Sequence, residues 1–157
     1  MKITELDKSG IDLIVQSEGL KLSVYLDSVG IPTVGIGNTF YPDGRKVTMK
    51  DPDITKEQAD ELFLFAAKSK MMEVDSITRD DINQNQFNAL VSFCYNGGIG
   101  MLKGSTLFKK LQINPNDPTI RKEFMKFVYS HDKNGRLIFI KGLQNRRQRE
   151  ADMYFKV

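Results

Sequence analysis

The stretch Thr55-Lys56-Glu57-Gln58 reads as a capping box, in which the Thr55 hydroxyl and the Gln58 side chain each satisfy an orphan amide at a helix start. Behind it, Ala59, Leu62, Phe63, Ala66 and Ala67 carry a helical pattern on to about Val74. At about 1.5 Å per residue such a helix is roughly 30 Å long, the width of a small domain. It is too long to sit inside one small lobe. The pattern therefore predicts a connecting helix, over about residues 55–75, that joins two lobes of one domain spanning residues 1–157.

The flanking sequence differs in texture. Leu6, Ile11, Ile14 and Val15 recur at helical spacing and Gly19 stands where a C-terminal glycine is expected, so residues 5–18 predict a helix ending near Glu18. From Val24 to Val47 the pattern changes to short β-prone runs, Ser23-Val24-Tyr25-Leu26 and Thr33-Val34-Gly35-Ile36-Gly37. Gly30, Pro32 and Pro42-Asp43-Gly44 punctuate them, which predicts a small antiparallel sheet. Beyond a boundary near residues 75–82, Phe87, Leu90, Val91 and Cys94 mark a helix that stops at Asn96-Gly97-Gly98. Ser105 opens a short helix to about Ile113, and Asp117-Pro118 caps another whose buried stripe is Ile120, Phe124, Phe127 and Val128. His131-Asp132-Lys133-Asn134-Gly135 is a turn, and the last helix, about Leu143 to Tyr154, carries Arg146, Arg147 and Arg149 on a largely polar surface. The fold class is α+β, with a β-rich lobe over about residues 15–55 and an all-helical lobe over 1–14 plus 80–157.

Composition narrows the chemistry. One cysteine, Cys94, excludes an internal disulfide, and one histidine, His131, leaves no Cys/His set for zinc. A Cys/His pair or a Ser/His triad stays open only through His131. Cys94 lies on an apolar stripe and reads as a buried small hydrophobe. Gly35-x-Gly37 and Gly97-Gly98-x-Gly100 match neither nucleotide-loop pattern and read as turns or close backbone approaches, so no cofactor and no metal are expected. The longest apolar run, Leu62 to Ala67, is far below the ~20 residues of a membrane-spanning helix. Met1 to Asp12 lacks a secretory apolar stretch, so synthesis in a cytoplasm without an export signal is expected.

Charge is unevenly placed. Residues 1–78 hold 9 Lys and Arg against 13 Asp and Glu, whereas residues 79–157 hold 14 against 7. A basic half suits a polyanionic partner, and nucleic acid, anionic lipid and bacterial cell wall all qualify. The basic residues are scattered and match no DNA or RNA motif, which disfavours nucleic acid.

The densest chemical equipment is Glu18, then Asp27 nine positions on, then Thr33 six further. A glycosidase needs two carboxyl groups in different environments, one protonated to donate to the leaving oxygen and one ionised to act on water or stabilise positive charge. Burial favours the protonated form. Glu18, closing an amphipathic helix, is expected to be partly buried, and Asp27, beside a glycine-containing turn, to be wetter. Thr33 can hold water from a strand. Each residue also has an ordinary use, as helix end, turn and β-former, and spacing alone does not choose.

The string Glu18-Gly19-Leu20-Lys21-Leu22, Tyr25-Leu26-Asp27, Gly30 and Pro32-Thr33-Val34-Gly35-Ile36-Gly37-Asn38 resembles the active-site stretch of the phage-type lysozymes, endolysin muramidases of glycoside hydrolase family 24. Gln86 to Gly98 and Gly142 to Glu150 resemble the same family, so the likeness covers nearly the whole chain. It implies a lysozyme-like fold with the active-site cleft between the lobes, and hydrolysis of the β-1,4 bond between N-acetylmuramic acid and N-acetylglucosamine in peptidoglycan. Glu18 is then the general acid, Asp27 the carboxylate acting on water, and Thr33 the third member, with inversion at the anomeric carbon. Arg146 matches a family arginine that closes onto the catalytic glutamate. Tyr95, Asn96 and Thr106 suit the N-acetyl and hydroxyl groups of a sugar, beside ordinary uses as core tyrosine and helix-start residues. A lytic transglycosylase, which needs one acidic residue, is the alternative enzyme, and a non-catalytic polyanion-binding module the alternative from another class. The resemblance further implies a monomer that gathers in the host bacterial cytoplasm, without stable membrane insertion, until a holin opens the membrane to the wall.

Overall fold

In the computed structural model, which describes residues 1–157, the first helix, α1, runs Lys8–Glu18. It starts later than its apolar spacing suggests because the Asp7 carboxylate takes the Gly10 N–H at 3.0 Å, capping the chain there. Two compact units follow from the packing, Met1–Ile14 with Lys70–Val157, and Val15–Ser69. The fold is α+β, as the sequence predicts.

In the Val15–Ser69 unit, β1 (Lys21–Leu26) pairs antiparallel with β2 (Pro32–Gly35), Tyr25 opposite Thr33 and Leu26 opposite Pro32, with an irregularity between Lys21 and Tyr25. The paired sheet is only two strands, and isolated bridges, Val34 with Asn38 and Phe40 with Lys46, carry the chain on. Val34, Val47 and Leu62 form the core here, edged by Val24, Tyr41 and Ile54. Buried Asn38 fastens the turn to the helix behind it, accepting from the Ile36 N–H at 3.2 Å and donating to the Leu62 carbonyl at 3.2 Å. That helix, α2, spans Lys56–Ile77. Its capping box is made as predicted, with Thr55 N–H to Gln58 Oε1 at 2.8 Å and Gln58 N–H to Thr55 Oγ1 at 3.1 Å.

In the other unit, α3 (Gln84–Gly97) is buried from Gln86 to Cys94 and opens with a capping box between Asn83 and Gln86. It packs against α7 (Lys141–Tyr154). Edge-to-face rings knit the core, Phe93 to Phe124 at 5.7 Å, Phe93 to Phe127 at 5.0 Å and Phe124 to Tyr154 at 5.6 Å. Burial pushes the Cys94 thiol up to about 12, so this cysteine packs as a hydrophobe. Ser105 caps α5 (Thr106–Ile113), its Oγ accepting from the Phe108 N–H at 3.0 Å. A five-residue helix, α4 (Ile99–Lys103), precedes it and has no counterpart in the sequence reading.

Three further features of this unit depart from that reading. Asp117-Pro118 does not cap a long helix: the Asp117 carboxylate takes the N–H and hydroxyl of Thr119 at 2.9 and 2.7 Å, and α6 is a single turn, Ile120–Phe124. The unit is not all-helical. β3 (Tyr129–His131) and β4 (Leu137–Phe139) form an antiparallel hairpin across the His131–Gly135 turn. Asp132 Oδ1 holds that turn by accepting from the Asn134 and Arg136 amides, each at 2.9 Å. Nor do Arg146 and Arg147 lie on a polar surface, for they are 4% and 1% exposed. A guanidinium is buried only where its donors find acceptors, and these two share Glu150, which is fully buried.

Candidate active site

Glu18 ends α1 and is half-buried. Its seat is set by Gly37. A Cβ added at Gly37 would stand 2.7 Å from the Glu18 carboxyl carbon, and the Gly37 backbone has φ +70°, which L side chains rarely adopt. Only a glycine gives the carboxyl that space without strain.

Asp27 follows the last residue of β1 and is half-buried as well, so the expected wetter setting of Asp27 is not found. Two backbone amides hold Asp27. Its Oδ1 accepts from the Val29 N–H at 2.9 Å and the Ile31 N–H at 2.8 Å, which leaves Oδ2 for a further donor. The loop closes on its own backbone, Gly30 N–H to the Asp27 carbonyl and Asp27 N–H to the Ile31 carbonyl, both at 3.0 Å, with Gly30 at φ +85°. Thr33, on β2, is buried, and its hydroxyl donates to the Ile31 carbonyl at 2.8 Å. The hydroxyl proton is committed, so toward a water Thr33 Oγ1 acts as acceptor. Ile31 thus bonds to both Asp27 and Thr33, and fixes one against the other through its own backbone.

Tyr25 is the residue that spacing missed. It pairs with Thr33, so the two side chains share a face of the hairpin. Burial pushes its phenol pKa up, and the charges of Glu18 and then Asp27 push it further. Both carboxyls therefore act on one ring. Lys21 Nζ stands 5.2 Å from the centre of that ring, a cation on the same side chain. The available signal was position: Tyr25 lies two residues before Asp27, at the strand period.

The remaining candidates belong to the other unit. Arg146 donates from Nη2 to the Ser92 carbonyl at 3.1 Å and from Nε to Glu150 Oε2 at 3.2 Å. Ser92 Oγ donates to the same Glu150 oxygen at 2.6 Å. Arg147 donates to Glu150 Oε1, to Asn96 Oδ1 and, at 2.9 Å, to the Phe127 carbonyl, with its guanidinium 4.8 Å from the Phe93 ring centre. Asn96 is exposed but oriented by this network, its carbonyl oxygen taken by Arg147. Tyr95 beside it is half-buried, and Thr106 is exposed at the first turn of α5. No group of three or more His, Cys, Asp or Glu side chains has the arrangement to hold a metal ion.

Comparison with known proteins bears on this arrangement. Residues 15–150 match the family model "Phage lysozyme". The endolysin of Salmonella phage P22 is 35% identical over 69% of this chain and 74% of its own length. The endolysin of Bacillus phage B103 is 32% identical over 95% of this chain, which spans 53% of that longer protein. Among solved structures, an endolysin from Escherichia coli O157:H7 phage FAHEc1 superposes with a TM-score of 0.88 at 36% identity, over 96% of this chain and 93% of that one.

Proposed function

The chain belongs to the phage lysozyme family, a family of peptidoglycan-hydrolysing lysis glycosidases, and from that premise we propose that it is a muramidase. Its substrate is the β-1,4 bond between N-acetylmuramic acid and N-acetylglucosamine. The observation that carries this reading is the hairpin that fixes Asp27 and Thr33 through Ile31, in the same unit as the glycine-seated carboxyl of Glu18.

In this mechanism Glu18 gives its proton to the glycosidic oxygen as the bond to the anomeric carbon breaks. A water, directed by Thr33 Oγ1 as acceptor and by Asp27 Oδ2, loses a proton to Asp27 and attacks from the opposite face. The new sugar end is an inverted hemiacetal. The family resemblance gives Tyr95, Asn96 and Thr106 to the sugar's amide and hydroxyl groups, and Arg146 a supporting role. The enzyme acts as a monomer, and reaches the wall from the host cytoplasm once a holin has opened the membrane.

Proton NMR on a defined oligosaccharide tests the assignment by the anomer first released. An α hemiacetal supports inversion by Asp27 and water, whereas a β product makes Asp27 a nucleophile. A 1,6-anhydro end would identify a lytic transglycosylase instead. Replacing Thr33 with Glu puts a carboxylate where the water sits, and should redirect the route through a covalent sugar intermediate detectable by mass spectrometry.

A further inference from the structure

The β3–β4 hairpin leaves Tyr129, Leu137, Ile138 and Phe139 exposed, Leu137 by 63% and Tyr129 by 52%. Exposed apolar side chains are ordinary singly, but four gathered on one hairpin mark a surface that is covered in use. The register places Tyr129 opposite Phe139 and His131 opposite Leu137 on one face, while Ile138 lies on the other. Tyr129 and Phe139 touch edge to face, with centroids 6.2 Å apart. Basic side chains bracket the patch, Lys133 and Arg136 at the turn and Lys141 at the base, all exposed. Asp132 is the one acidic residue between Tyr129 and Lys141, and its carboxylate is taken up by the amides of its own turn.

We propose that this hairpin is a peripheral membrane-contact element, seated in the headgroup layer of an anionic bilayer. The proposal goes beyond the hydrolytic reading and does not depend on it. A rigid partner laid on one face would leave the apolar side chain of the other face in water. A glycan strand stacks on a flat ring, and two rings 73° apart present no flat platform. A lipid headgroup layer surrounds both faces, accepts the aromatic side chains at its boundary and draws Lys133, Arg136 and Lys141 to its phosphates. Charge is complementary on the larger scale too, since the unit that bears the hairpin holds 17 Lys and Arg against 12 Asp and Glu. The hairpin docks and does not span. Its open strand edges exclude it from the hydrocarbon interior, and no helix of the protein is long and apolar enough to cross a membrane.

Cosedimentation of the full chain tests this, with vesicles of phosphatidylglycerol and phosphatidylethanolamine against vesicles of phosphatidylcholine alone. The intact protein should partition onto the anionic vesicles at least tenfold better, and lose most of that preference between 0.1 and 1 M salt. Leu137→Ser with Phe139→Ser should lower binding at least tenfold, while cleavage of a soluble oligosaccharide and the melting temperature stay near those of the parent. Lys133→Gln with Arg136→Gln, which removes charge and leaves the apolar face intact, should lower it at least threefold, so the proposal is testable even where the serine pair folds poorly. Equal partition onto both vesicle types, or anionic binding unchanged in both pairs, overturns it. A dimer in sedimentation velocity that the serine pair converts to monomer would also overturn it, assigning the face to a second copy of the chain.

Discussion

Asp27 in one unit and Glu150 in the other are held by opposite means. In Val15–Ser69, which has 6 Lys and Arg against 8 Asp and Glu, Asp27 is held by neutral groups, and Asp51 mainly so, with Arg45 at 3.5 Å beside it. Asp27 is fixed by two backbone amides, and Asp51 by the Thr48 amide and hydroxyl and the Tyr41 hydroxyl, at 3.0, 2.8 and 2.7 Å. In the other unit Glu150 is fully buried between two guanidiniums. Neutral dipoles orient a carboxylate and leave a face open to water and substrate. Opposed full charges, once dry, lock the groups together and use them for structure. A surface pair is worth about 0–1 kcal/mol, whereas breaking a buried pair from one side costs about 3–5 kcal/mol. The chemistry therefore belongs to the first arrangement and the architecture to the second.

The sharpest way to break this contrast is Glu18→Gln, which keeps the shape and removes the transferable proton. The variant should melt like the parent and lose about 10²–10⁴-fold in turnover. A folded variant with more than a tenth of parental wall clearance would take Glu18 out of the mechanism. Glu150→Gln should do the reverse. It leaves two buried guanidiniums without a counter-charge, so a loss of about 3–5 kcal/mol is expected in denaturant titration. A loss under about 1 kcal/mol would mean that the network is no more than a surface pair.

Gly37→Ala falls between the two classes. The new methyl displaces the Glu18 carboxyl and strains a positive φ, which should cost about 1 kcal/mol of stability and at least tenfold in turnover. Unchanged turnover would show that the position of Glu18 tolerates a shift. The smallest effect belongs to Asp51, whose carboxyl is lowered to about 2 by the Thr48 amide first, and then by the hydroxyls of Tyr41 and Thr48. A carboxyl lowered in the folded state stabilises above its unfolded value and loses that contribution as pH falls through its folded value. The parent should thus lose part of its stability between about pH 4 and 2 that Asp51→Asn never had. Identical acid profiles for the two proteins would leave Asp51 without this role.

Much of the local structure was legible because its causes are local. The Thr55–Gln58 box and the Ser105 cap are satisfied within three residues, and the strands around Gly30 and Pro32 are set by turn chemistry. The β3–β4 hairpin carried a signal of the same kind in the β-prone runs beside Asp132 and Gly135, but a three-residue strand is too short for periodicity to distinguish.

What the sequence determined by itself was the long helix behind the Thr55–Gln58 box, and a hairpin carrying Asp27 and Thr33 just beyond a helix that ends in Glu18. The tertiary structure decided which charges are dry. Arg146 and Arg147 read as solvated on a polar helix because their acceptors at Ser92, Asn96 and Phe127 lie 54, 51 and 20 residues away. Tyr25 joined Glu18 and Asp27 only through strand register and packing. A cap needs a partner within one turn, and sequence displays that partner directly. Burial of a charge needs partners from distant segments, and these come together only when the chain has closed around them.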